Sequence, residues 1–363
     1  MFLDLVFVGA IAEVGLTLTH DPTAVGFARY LVLFLPIFWA WAGFTFYATR
    51  FDTDDLVYRL LTLLGMFAVA ALASAVPDAL HGGAQRFVLA YVVVRVILIL
   101  LYVRAYRHVE LARPLSSWFI LMFSTAVVFW LASLAVPSPW RYLFWFLALA
   151  FEYVAPVRAW RLMIGSPVHP AHIPERFGLL VIIVLGEAVI AVVLGTSNVT
   201  WTASLSAAAF GGFVAAASIW WLYFGFLDTA AAVTRNVLAG MTFVYSHYFV
   251  AAGIAAFGVG VRLDILSAEA GPRYDRTGWI AAVGVAICMA GLAAVQLATP
   301  PTLFDVDVAL RIATAIVAAV LAGLSSVLSP VLVLWLLAVA LVAQVVFEVA
   351  RHEMHAMRLP RML

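Results

Sequence analysis

Five ionisable side chains sit in stretches that are otherwise strongly apolar: Glu13, Arg95, Glu152, Glu187 and His247. A charge at the centre of a bilayer costs roughly 3 kcal/mol on insertion scales, so such groups face a bundle interior or a cavity and find partners there. A carboxyl group in a low-dielectric site can carry protons or cations, whereas an adjacent guanidinium holds it ionised. The chemistry on offer is therefore charge movement through embedded carboxylates, with His247 as a relay or ligand. The alternative is a buried network of ion pairs and hydrogen bonds that fixes helix register.

Helical geometry decides which groups can share a face. Glu13 and His20 are seven apart and do, whereas Asp4 and Glu13 are nine apart, point to opposite faces and need separate partners. Arg176 and Glu187 return to within about 20° of one face, separated by roughly 16 Å along the axis, so they could line one track without touching. Arg95 cannot shed its proton and is the candidate counter-charge for Glu13 or Glu187. Gly9, Gly186 and Gly195 would allow close helix approach or local unwinding.

Two further clusters have the residue types of metal sites. His169 and His172 lie beside Glu175 in a Pro-rich loop, and Glu348, His352 and His355 lie at the end of the last apolar segment. Solvated loop histidines and a capped, surface-facing helix end account for both, so neither a metal nor a cofactor is expected. The single cysteine, Cys288, lies in an apolar run and offers no disulfide or redox pair.

These groups require membrane-spanning helices to position them. The 363 residues are 66% hydrophobic and 11% charged, and mean hydropathy is +1.09, which excludes a water-soluble fold. A near-zero net charge without basic tracts gives no sign of a nucleic-acid partner. Apolar stretches of spanning length recur near 2–19, 27–48, 57–77, 86–103, 115–136, 140–157, 176–196, 203–227, 236–261, 277–299, 307–327 and 330–350. The first contains Asp4 and Glu13 and lacks a basic leader, so it is read as a retained helix, with Asp4 near the membrane surface. Trp39, Trp41, Trp140, Trp145, Trp220 and Trp221 fit an interfacial belt at span ends or between helices.

Arginine supplies every basic residue and is distributed unevenly. Arg50, Arg59, Arg104, Arg107, Arg113, Arg158, Arg161, Arg176, Arg235, Arg351, Arg358 and Arg361 collect on one side, with Arg311 near it. Arg29, Arg86, Arg141, Arg262, Arg273 and Arg276 fall on the other. The richer side is cytoplasmic and holds both termini. The helices starting at Phe2 and Phe177 each end an apolar run on a Glu, and Trp41, Phe44 and Phe46 are echoed by Trp221, Phe224 and Phe226. The expectation is an all-α polytopic protein of about twelve spans in two parallel six-helix repeats, 1–165 and 166–363.

The segment Phe2-Leu-Asp-Leu-Val-Phe-Val8 resembles the opening motif of the bacterial low temperature requirement protein A family. The tract from His172 to Glu187, His-Ile-Pro-Glu-Arg-Phe-Gly-Leu-Leu-Val-Ile-Ile-Val-Leu-Gly-Glu, resembles that family's longest signature, and Tyr245-Ser-His247 its Y-x-H element. Leu3 stands where the family has a second Phe, and the acidic residue usually ahead of the aromatic pair is missing, which leaves open whether the native start lies upstream. The resemblance implies key positions at Asp4, Glu13, His172, Glu175, Arg176, Glu187 and His247 and supplies no activity. Together these readings point to a bacterial inner-membrane protein moving an ion or small solute through a midplane site. Membrane lipids are its surroundings, and a homo-oligomer is compatible with the sequence. The alternatives are a membrane enzyme acting on a lipid or isoprenoid, and a binding or sensory protein without turnover.

Overall fold

A computed structural model describes residues 2–51, 55–80, 82–163, 172–196, 201–225, 237–270, 277–298 and 306–358, though not every side chain at helix ends. Among these residues all regular structure is helical, and twelve helices are long and apolar enough to cross a membrane. They are α1 (Phe2–His20), α2 (Ala24–Arg50), α3 (Leu56–Ala75), α4 (Ala84–His108), α5 (Arg113–Ala132), α6 (Arg141–Met163) and α7 (His172–Thr196). There follow α8 (Ala203–Phe224), α9 (Val237–Ala270), α10 (Gly278–Ala298), α11 (Val306–Leu324) and α12 (Pro330–Arg358). In a bilayer every backbone polar group must be satisfied within its own segment, which is why apolar stretches of this length become helices.

Local chemistry sets several helix starts. Thr23 accepts a hydrogen bond from the Gly26 amide at 3.0 Å, Asp55 from Tyr58 at 2.9 Å and Thr202 from Leu205 at 3.1 Å, each capping an otherwise orphaned donor. Pro330 opens α12, where its missing N–H costs nothing, and so makes the tight turn after α11.

The chain groups into two compact units, Met1–Leu179 and Leu180–Leu363, and α7 runs across the division. In the first unit α1 packs on α2 and α3, and α4 and α5 each pack on the helix that follows them. Its core is aromatic, built from Tyr30, Phe34, Trp41, Tyr47, Phe87, Tyr91, Tyr102 and Trp130. In the second unit α9 lies against α10, α10 against α11, and α8 against α12.

The α9–α10 contact is made backbone to backbone. A Cβ on Gly260 would lie 2.3 Å from the Ala281 nitrogen, on Gly253 2.5 Å from the Cys288 nitrogen, and on Gly284 2.5 Å from the Phe257 nitrogen. Small residues at such crossings let helices approach where no hydrophobic effect drives them together. The glycines expected to do this from sequence do not: a Cβ on Gly9 or Gly186 meets nothing within 4 Å among the described residues. The surroundings of Gly195 fall outside the described residues, as do Phe226 and His169 and the side chains of His352 and His355.

Several spans run beyond their expected ends: α4 to His108, α6 to Met163, α12 to Arg358 and, furthest, α9. α9 continues to Ala270, whereas the sequence suggests an end near 261, ahead of Arg262 and Asp264. Both are accommodated inside protein, Asp264 completely, so they do not terminate the helix.

Candidate functional site

The first polar centre joins two of the sequence motifs. Asp4, in the first turn of α1, is buried, and its Oδ1 accepts a hydrogen bond from Trp41 Nε1 at 2.9 Å. Its Oδ2 lies 3.5 Å from Arg176 Nη1, at the start of α7. Phe177, the next residue, meets the Trp41 ring edge-on with centroids 4.9 Å apart. Asp4 is thus enclosed by protein within the first turn of its helix. Trp41, 1% exposed, is a site residue that sequence reasoning left in an interfacial belt. Trp39 and Trp145 are buried as well, while Trp140, Trp220 and Trp221 are exposed as a belt requires.

The second centre settles the partner of Arg95. Its Nη2 lies 2.5 Å from Glu152 Oε2, both side chains are fully buried, and the guanidinium carbon sits 4.9 Å from the Tyr91 ring centroid. Tyr91 also donates its hydroxyl to Glu152 at 2.7 Å and accepts from Arg95 Nε at 2.9 Å. This corrects the expectation that Arg95 neutralises Glu13 or Glu187. A guanidinium on α4 is paired with the carboxylate of α6 and an aromatic hydroxyl one turn before it on its own helix. An ion pair this enclosed gains its attraction in a low-dielectric setting and holds three helical positions in register.

Glu13 is half-buried within α1 and makes no hydrogen bond or ion pair among the described residues. Its face-mate His20 is exposed, with Nδ1 2.8 Å from the Leu16 carbonyl. Glu187, also half-buried and without a hydrogen bond among the described residues, has Arg262 of α9 as its acting charge. Close packing sets that neighbourhood, since a Cβ on Gly258 would lie 2.7 Å from the Ala188 Cα. Arg176 and Glu187 therefore serve different partners, Asp4 and Arg262. His172 and Glu175 stand exposed at the start of α7, 3.7 Å apart, and no group of three metal-ligating side chains occurs among the described residues.

His247 is fully buried and held at both ring nitrogens: Nδ1 is 2.6 Å from the Phe243 carbonyl and Nε2 is 2.9 Å from the Tyr223 hydroxyl. A carbonyl only accepts, so Nδ1 carries the hydrogen and Nε2 of the neutral ring accepts from Tyr223.

A polar seam between α11 and α12 went unrecognised in the sequence. Asp307 pairs with Arg351 at 2.5 Å and Arg311 with Glu348 at 3.5 Å. Thr314 donates to Gln344 at 2.6 Å, and Gln344 donates in turn to Glu348 at 2.7 Å. Glu348 and Arg311 are fully buried, so the reading of Glu348 as a surface-facing helix end is wrong. The signal was available: 307, 311 and 314 on one helix and 344, 348 and 351 on the other are spaced three or four apart and share a face.

Twelve apolar helices enclosing ion pairs define a multi-pass helical membrane protein. Residues 1–346 match the model of the Bacterial low temperature requirement A protein (LtrA), and the chain belongs to that family. It is 30% identical over 281 residues, 72% of this chain and 67% of the relative, to a protein of Rhizobium meliloti (strain 1021) named Uncharacterized protein RA0937.

Proposed function

We propose that the protein transports an ion or small solute across the bacterial inner membrane, with Glu13 and Glu187 as the carboxylates that carry charge and with both termini in the cytoplasm. The observation that carries this reading is a contrast among the embedded acids. Asp4, Glu152 and Glu348 are buried and bonded to cationic or donor groups, whereas Glu13 and Glu187 are half-buried inside spans and make no hydrogen bond among the described residues. An intramembrane carboxylate kept accessible is costly unless something binds it. A parallel pair of six-helix repeats would set the two glutamates at comparable depth, which suits a carrier that alternates access around a midplane site. A lipid-modifying enzyme draws less support, because His247 is buried with both nitrogens engaged and has none left to meet a substrate.

Purified protein in proteoliposomes, under imposed pH and potential gradients, tests the reading. Ion or proton flux is expected in the wild type and is lost in both Glu13→Gln and Glu187→Gln. Undiminished flux in both variants overturns it.

A further inference from the structure

Asp264 is the embedded acid that the preceding reading does not use. It lies in α9 with 0% exposure, and neither carboxylate oxygen has a hydrogen-bond partner among the described residues. Every other buried carboxylate described above has a cationic or donor partner. Gly253, Phe257 and Gly260 form the face of α9 that meets α10, and Asp264, four residues beyond Gly260, continues that face. Since Gly260 lies against Ala281, this places Asp264 opposite the first turn of α10, beginning at Gly278 and preceded by the buried Thr277.

Among the described residues no charge is positioned to compensate it. On its own helix Arg262 stands about 200° around the axis from Asp264, on the face whose charge acts on Glu187 of α7. Tyr223 of α8 is bonded to His247. Cys288 of α10 is roughly 16 Å along the helix from Thr277. α12 enters beside Gly278 at Pro330, and its charges Glu348 and Arg351 lie roughly 27 Å or more further along, paired with Arg311 and Asp307 of α11. An ionised carboxylate removed from water without a partner is among the costliest arrangements in a protein interior, and such a group binds a proton instead.

We propose that Asp264 is a proton-binding site, a carboxylic acid in the described conformation that gives up and regains its proton during the transport cycle, so that the coupling ion is the proton. Release breaks the Asp264 O–H bond and passes the proton to water admitted at the Thr277 end of α10, leaving a carboxylate; uptake reverses the transfer. The exchange rests on the transport reading, whereas the bound proton stands independently of it.

Infrared spectroscopy of the full chain in proteoliposomes separates the two. The wild type is expected to show a protonated-carboxyl C=O band that shifts in D2O, is missing from Asp264→Asn and persists in Glu187→Gln. Asn is a neutral isostere of the protonated acid, so its thermal unfolding should match wild type. Should Asp264→Asn fail to reconstitute, Asp264→Glu keeps an acid at the site and moves the band. A spectrum unaltered by substitution at 264 overturns the proposal whatever the flux. With the band assigned, proton-driven flux in Asp264→Asn should fall to the level of protein-free liposomes, and flux equal to wild type overturns the exchange. A wild type that holds the band but moves no ion leaves the bound proton standing and removes the transport reading.

Discussion

At the scale of single residues, the energetics of the polar centres turn on pairing. Arg95 cannot be neutralised, so Glu152 and Tyr91 must compensate it within the protein. Removing one member of a buried pair leaves the other uncompensated and costs roughly 3–5 kcal/mol, whereas replacing both by apolar groups of similar volume is close to neutral. Glu152→Ala should therefore lower the unfolding temperature of the detergent-solubilised protein far more than the double variant Arg95→Met with Glu152→Leu. Equal losses would show that the two charges are not coupled. Glu13 and Glu187 should behave oppositely, because neither makes a hydrogen bond among the described residues. Their Gln variants are expected to fold normally and fail only in flux.

At the scale of elements, helix–helix contact in this protein depends on where the small residues fall. A Cβ on Gly260 has only the Ala281 backbone to displace, so α9 and α10 must separate to admit it. Overpacking of this kind costs about 1–3 kcal/mol, and Gly260→Ala should destabilise the protein by that order in thermal unfolding. Gly9→Ala and Gly186→Ala meet open space and should leave stability unchanged or raise it by about 0.5–1 kcal/mol, since Ala loses less backbone entropy in a helix. The three glycines are alike in sequence context, each in an apolar run. What separates them is the partner helix, and that is not written locally. The seam of α11 and α12 makes the same point with charges: no residue of it discloses its partner alone, and only the packing of the two helices encloses Arg311 and Glu348.

At the scale of the whole molecule, the arginine distribution predicts that the loop at Glu110 is cytoplasmic and the loop at Asp21 is external. Cys288 is the only cysteine and is buried, so single introduced cysteines report without background. In intact cells an impermeant thiol reagent should label Asp21→Cys and leave Glu110→Cys untouched until the membrane is opened; the reverse pattern would invert the topology. The number of spans, the all-helical class and the family were legible in the sequence, because each span depends on its own length and apolarity and each motif is a contiguous string. Asp4, Arg176 and His247 were likewise legible as special positions, and the structure encloses Asp4 and His247. The partners were not. Arg95 turns to Glu152, Arg311 and Glu348 meet inside the second unit, and Asp264 has no hydrogen-bond partner among the described residues, because which faces of two helices meet depends on the packing of all their neighbours. Insertion into a membrane is decided segment by segment, whereas the compensation of a buried charge is decided by tertiary structure.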